Sequence, residues 1–178
     1  MSQTVKVRDL TFKPFIKADK IAERVNALAA EISGAYRDQP VLFVCMLSGA
    51  FVFASDLLRA MDTTAEICFV KWSSYDGTSS TGTLKQELPL DVDVKGRKVV
   101  VVEDIVETGL TLYNFKKDIL SRGAAECRIA TLLYKPQCLR YNLQIDWKGF
   151  EIGNEFVVGY GLDYNGEGRM LRDLYVKA

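Results

Sequence analysis

The stretch VVVVEDIVETGLTL, residues Val99 to Leu112, decides the fold of this chain. Four valines form a short β-branched run, and Glu103 and Asp104 follow at once. A run of this kind reads as a strand buried on both faces of a parallel sheet. In open α/β sheets, ligands sit beyond the carboxyl ends of such strands. The stretch Glu107-Thr108-Gly109-Leu110-Thr111 then leads into a helical pattern. Free backbone N–H groups and the positive dipole end of that helix suit a phosphate. Thr108 and Thr111 add hydroxyl donors, and the two acids suit a sugar diol, a Mg²⁺ shell, or both.

Outward from this stretch, strands and helices alternate. The spacing predicts a helix over Asp19 to Ile32, with Ile21, Val25, Leu28, Ala29 and Ile32 on one face, Asp19 as its cap and Gly34 at its end. Val41 to Met46 reads as a strand, and Gly49 to Met61 as a helix with Phe51, Leu57 and Leu58 among its apolar positions. Ala65 to Trp72 reads as a strand, Ser73 to Gly82 as a polar loop, and Thr83 to Leu88 as a short strand. After a turn at Lys95-Gly96 and the valine strand comes a helix over Thr108 to Leu120, stopped by Arg122-Gly123. Arg128 to Tyr134 and Phe156 to Tyr160 read as further strands. This order implies an α/β fold, a doubly wound and mostly parallel sheet flanked by helices. No repeat or linker divides residues 1–178, so one domain is expected.

Composition narrows the chemistry. Apolar residues make up 48% of the chain, which argues for a packed core rather than disorder. Twenty-three basic residues balance 23 acidic ones, which argues against nucleic acid as a partner. No apolar stretch is long enough to span a bilayer, and Met1 to Lys20 has no signal-peptide pattern. A cytoplasmic protein is expected. Cys45, Cys68, Cys127 and Cys138 lack metal or redox spacing, and three of them lie in apolar strand-like runs, as buried free thiols do. The chain has 0 histidines, so His-based triads and His-ligated zinc are excluded. Any general base must be a carboxylate, Lys, Tyr or Cys.

Other segments offer local chemistry. Leu47-Ser48-Gly49-Ala50 is a small-residue turn between strand and helix, where backbone N–H groups can approach an anion closely. Ser73 to Gly82 surrounds one tyrosine with small polar residues, which predicts an exposed, mobile loop. Lys135 follows a strand and so faces the ligand crevice.

Taken together, these segments resemble the type I phosphoribosyltransferases. The similarity is strongest to the hypoxanthine(-guanine) branch, whose motif is Glu-Asp, two aliphatics, Asp-Thr-Gly, any residue and Thr. Glu103-Asp104-Ile105-Val106-Glu107-Thr108-Gly109-Leu110-Thr111 matches it at all but one position. The string VVGYGLDY and the order of the other segments extend the resemblance across nearly the whole chain.

The resemblance implies transfer of 5-phosphoribosyl from 5-phosphoribosyl 1-diphosphate to a 6-oxopurine, hypoxanthine and guanine among them, with release of diphosphate. It implies that Leu47, Ser48 and Gly49 hold the diphosphate, and that Ser74 and Tyr75 belong to a lid over residues 73–82. Thr108, Gly109, Leu110 and Thr111 would hold the 5′-phosphate, and Glu103 and Asp104 the ribose hydroxyls and Mg²⁺. Lys135 would donate to the purine's exocyclic oxygen. Phe156 would stack on the ring, and Val157 would offer its backbone to the base edge. Asp163 would bind a second Mg²⁺, and Arg169 would meet the diphosphate. Glu107 would be the base that takes the purine N7 proton. Terminal segments, including residues 150–178, would form a small hood, and the enzyme would be a homodimer or homotetramer with small-molecule substrates only.

Two positions depart from the family pattern. Ser48 stands where the family has Lys, and Glu107 where it has Asp. They keep open an alternative, a non-catalytic nucleotide-sensing regulator of the same fold that binds RNA or DNA. A third reading, a generic nucleotide-binding module, lacks both a Walker A lysine and a GxGxxG pattern.

Overall fold

The computed structural model describes residues 4–37, 39–74 and 84–178. The valine run lies in β6 (Lys98–Val106), next to β3 (Val41–Met46). Both strands are buried by layers on either side. Val41, Phe43, Cys45, Val100 and Val102 point to one layer, and Leu42, Val44, Met46, Val99 and Val101 to the other. This is the period-2 alternation of a strand with no solvent face. Each fully buried Val, Leu, Ile or Phe side chain contributes about 1.5–3 kcal/mol relative to exposure. Burial on both faces therefore favours the centre of the sheet for these two strands.

The first layer is α1 (Ala18–Ala35) and α2 (Phe51–Ala60), and the second is α3 (Leu110–Ser121). The buried residues of α1 are the five expected: Ile21, Val25, Leu28, Ala29 and Ile32. In α2 the buried set is Phe53, Ala54 and Leu57, whereas Phe51 is exposed. The main sheet runs β5-β4-β3-β6-β7-β8, where β4 is Ala65–Ser74, β5 Leu84–Leu88, β7 Glu126–Tyr134 and β8 Trp147–Glu151. All pairings are parallel except β4 with β5. From β3 the chain moves outward to β4 on one side, then returns to β6 and moves through β7 to β8 on the other. The strand order thus reverses between β3 and β6, and the crevice for a ligand lies beyond their carboxyl ends.

A second sheet, ordered β1-β2-β10-β9, joins the two termini. Its strands are Val5–Val7, Leu10–Ile16, Leu174–Lys177 and Val157–Val158. Val7, Phe12 and Val158 form its own small core. Several expectations need correction here. The strands β1, β2, β8 and β10 have no clear counterpart in the sequence reading, and only two residues of Phe156 to Tyr160 form a strand. These segments are short and mixed in polarity, and they pair with partners far away in the chain, so local periodicity is a weak guide to them.

The ends of α1 also differ from expectation. Gly34 is inside the helix, and Asp19 lies in the first turn without capping it. The cap comes instead from Asp173, whose carboxylate accepts from the Ala18 N–H at 2.8 Å and from the Lys17 ammonium at 2.8 Å. It satisfies one of the helix's orphan donors from 155 residues away in sequence. The Lys17 bond holds the Asp173 carboxyl below its ordinary range. A group with a depressed folded pKa stabilises above the unfolded pKa, and that contribution is lost as pH falls through the folded value. Asp173→Ala should therefore cost about 1 kcal/mol at pH 7, read as a lower melting temperature. The gap to wild type should close as the pH is brought well below about 4. A gap that persisted undiminished in acid would rule out the carboxylate as its source.

Among the described residues, no helix is long and apolar enough to cross a membrane.

Candidate active site

The strand β6 does not stop at the valines. It continues through Glu103, Asp104 and Ile105 to Val106. The two acids lie side by side there, with their carboxyls sharing a hydrogen bond. Glu103 turns toward the α3 side and lines a cavity of about 270 Å³. Asp104 turns toward the turn at the end of β3, where a Cβ added to Gly49 would lie 1.5 Å from Asp104 Oδ2. Gly49 is there because the carboxylate occupies the space of a side chain. The two acids remain close enough to interact. Burial, and then the Asp104 charge, push the Glu103 carboxyl well above its ordinary range. Burial raises Asp104 as well, opposed by hydrogen bonds and by the Arg169 guanidinium.

The cavity sits at the switch point. Met46 lines it from β3, Leu47 from the turn that follows, Trp72 from β4, and Glu103 and residues 105–112 from β6 and the start of α3. The helix begins at Leu110, after Gly109 with φ +81°. The left-handed conformation there suits glycine, and Thr108 Oγ1 accepts from the Leu110 N–H at 3.4 Å. Glu107, Thr108, Gly109, Leu110 and Thr111 thus share one cavity wall, as the sequence pattern predicts. Leu47 joins them across the crevice, and the Leu47–Ser48 peptide is cis.

At the mouth of this wall, the Lys135 ammonium donates to the Glu107 carboxylate. The lysine is 4% exposed, while the Glu107 side chain is 53% exposed. Lys135 is therefore an ammonium packed into the protein, with its charge answered by a carboxylate that reaches solvent. Phe156 is 45% exposed despite its aromatic ring. The ring rests edge-on against Tyr164 at 5.8 Å and near Phe12 at 6.1 Å. An exposed ring supported from behind can offer its free face to a planar ligand. Val157 is buried, and its strand pairs with β10.

Asp163 and Arg169 form an ion pair at 2.7 Å. Asp163 also accepts from the Gly166 N–H at 2.6 Å, and Arg169 donates to the Gly161 carbonyl at 2.7 Å. Gly161 in turn packs on the Gly49 carbonyl: a Cβ built there would come within 2.2 Å of it. The loop carrying Asp163 and Arg169 therefore lies directly on the Leu47–Ala50 turn. Of the lid residues, Ser74 is the last residue of β4, and Tyr75 lies outside the described residues, as does nearly all of the loop 73–82. The sequence reading missed Asp56 and Tyr160, which are hydrogen-bonded at 2.7 Å beside this loop. The only signal was a tyrosine between two glycines, in the string VVGYGLDY. A wider groove, bordered by Ser33, Gly34, Arg37, Pro40 and Thr64, contains none of the expected site residues.

No cluster of three or more Cys, Asp or Glu able to hold a metal occurs among the described residues. Magnesium, however, is commonly held by one or two carboxylates together with substrate phosphates and waters. The half-buried Glu103–Asp104 pair, two carboxyls pushed up by burial, fits that requirement.

Fold and site together define an α/β protein with its cavity at the switch point of a parallel sheet. A family model described as a phosphoribosyl transferase domain matches residues 16–165. The chain belongs to the phosphoribosyltransferase family. It is 37% identical to the hypoxanthine-guanine-xanthine phosphoribosyltransferase of Tritrichomonas foetus over 172 residues, covering 96% of this chain and 93% of that protein. It is 36% identical to the hypoxanthine-guanine phosphoribosyltransferase of Aquifex aeolicus over 172 residues, covering 96% and 97%. Among solved structures, a hypoxanthine phosphoribosyltransferase from Staphylococcus aureus superposes with a TM-score of 0.89 at 34% identity, covering 93% of this chain and 90% of that one.

Proposed function

We propose that this phosphoribosyltransferase acts in purine salvage, transferring 5-phosphoribosyl from 5-phosphoribosyl 1-diphosphate to a 6-oxopurine. The products are IMP or GMP and diphosphate. The observation that carries the choice of purine is the Lys135–Glu107 pair. A 6-oxopurine protonated at N7 presents an acceptor, O6, next to a donor, N7–H. An ammonium held beside a carboxylate is the complement of that edge. Adenine presents an amino donor in place of O6, which would face the ammonium and leave both groups unpaired.

Within this reading, Lys135 binds O6, Phe156 stacks on the ring, and the Val157 backbone meets the base edge. Glu107 takes the proton from N7 as the purine attacks the ribose C1. Thr108, Gly109, Leu110 and Thr111 anchor the 5′-phosphate, and that remote binding energy positions C1. Leu47, Ser48, Gly49 and Arg169 hold the diphosphate. Glu103 and Asp104 bind the ribose hydroxyls and would hold Mg²⁺, with Asp163 at a second ion. When bound, the ion supplies charge stabilisation to the departing diphosphate. Residues 73–82, with Ser74 and Tyr75, would close over the site and exclude water. Residues 1–178 would act as one domain with a hood that includes residues 150–178, in a cytoplasmic homodimer or homotetramer. Nothing in the site favours the regulatory alternative.

The test is an ultraviolet assay with Mg²⁺, 5-phosphoribosyl 1-diphosphate and, in parallel, hypoxanthine, guanine, xanthine and adenine. Nucleotide is expected from at least one 6-oxopurine and none from adenine. Turnover of adenine, or of no base at all, would overturn the proposal.

A further inference from the structure

The loop over residues 159–171 carries two of the groups assigned above to the leaving group, Asp163 and Arg169. Its internal bonds are plain: Tyr160 N–H to the Leu171 carbonyl at 2.7 Å, and Gly161 N–H to the Arg169 carbonyl at 3.0 Å. These bonds shape the loop but do not place it on anything. What lies beneath is the Leu47–Ala50 turn and the α2 helix that the turn opens. Gly161 meets that turn through the Gly49 carbonyl, a van der Waals approach without direction. Tyr160 sits between the two glycines of the loop, itself at φ +48°. Its ring is 8% exposed, and its hydroxyl reaches Asp56 of α2 at 2.7 Å. Tyr160, Asp56, Val52 and Arg169 line one groove of about 500 Å³.

We infer that Tyr160 and Asp56 are positioning residues for the diphosphate site: their hydrogen bond sets the loop bearing Asp163 and Arg169 in register with the Leu47–Ala50 turn. This rests on the assignment of the turn and Arg169 to the diphosphate. The bond is suited to the task. It is directional, part-buried, and charge-assisted when Asp56 is ionised. Burial and then the Asp56 bond push the Tyr160 hydroxyl far above the ordinary phenol range, so it stays a donor at any working pH. Asp56 lies midway along α2, the helix that the turn opens, so the bond ties the loop to the element that carries the turn. Of the purine groups, Lys135 and Glu107 belong to other elements, whereas Phe156 touches the loop through Tyr164.

The experiment compares wild type with Tyr160→Phe, Asp56→Leu and Asp56→Asn. The probe is inorganic diphosphate with Mg²⁺, titrated by calorimetry, which needs no turnover and no choice of purine. Tyr160→Phe keeps the ring and removes only the hydroxyl. It should bind diphosphate about tenfold more weakly, the size of a hydrogen bond to a charged group. Asp56→Leu should weaken binding likewise. Asp56→Asn keeps an acceptor for the hydroxyl and should restore most of the affinity. In turnover, KM for 5-phosphoribosyl 1-diphosphate should rise about tenfold, and by more than KM for the purine. A merely structural bond would lower the melting temperature and leave diphosphate affinity in the folded fraction unaltered. That result would overturn the inference, as would equal shifts in both KM values or wild-type protein that binds no diphosphate. Absence of purine turnover beside normal diphosphate binding would instead strike at the proposed function and leave the register test standing.

Discussion

Glu107→Gln is expected to lower kcat by about a hundredfold or more, the range carried by a positioned general base. The amide fills the same space, but it cannot take the N7 proton. Binding of 5-phosphoribosyl 1-diphosphate should be almost unchanged, because the cavity wall proposed for its 5′-phosphate is built from Thr108 to Thr111 and their backbone. The stability cost should be moderate. Removing one partner of a fully buried ion pair costs about 3–5 kcal/mol, but this pair is buried on the lysine side only. The charge left behind is the buried Lys135 ammonium, but the Gln carbonyl still accepts from it, which brings the expectation to about 1–3 kcal/mol. Rapid-quench turnover, diphosphate-sugar titration and thermal melting separate these three outcomes. Normal kcat in Glu107→Gln would remove Glu107 as the base. Glu107→Asp, one methylene shorter, should keep the charge but loosen the contact with Lys135, and a misplacement of about 1 Å can itself cost roughly a hundredfold.

The second large effect is expected from Gly161→Ala. The backbone there has φ +101°, a conformation that L side chains rarely adopt, and the new Cβ would lie 2.2 Å from the Gly49 carbonyl oxygen. A backbone atom cannot swing aside as a side chain can. Either the loop or the Leu47–Ala50 turn must move. Strain and clash together should cost roughly 2–4 kcal/mol, a drop of roughly 5–15 °C in melting temperature at this chain length. Diphosphate binding should be lost with it. Gly166→Ala is the matched control, since Gly166 has φ +86° but nothing within 4 Å of the added Cβ. It should show only the conformational cost, about 1 kcal/mol, and should still bind diphosphate. Equal losses in the two variants would mean that the contact with Gly49 carries no weight.

The sequence by itself determined the fold class. The valine run of β6 and the apolar run of β3 are continuous, as strands buried on both faces are, and the five-residue face of α1 repeats at the helical period, which together leave few alternatives. That Glu107 to Thr111 share one cavity wall was also legible, because they are contiguous and their geometry is that of one turn and one helix start. Contacts between distant segments were decided by tertiary structure alone. The placement of Glu103 and Asp104 at the cavity depends on the strand continuing past the valines, which its pairing with β7 imposes through Glu103, Ile105 and Val106. The pairing of Lys135 with Glu107, 28 residues apart, and of Tyr160 with Asp56, 104 residues apart, depends on where the sheet and loop bring each chain segment. Asp173 caps α1 only because β10 returns beside β2. Local propensity reports what a segment prefers, whereas these contacts exist only once the strand order has closed, and no local period encodes that order.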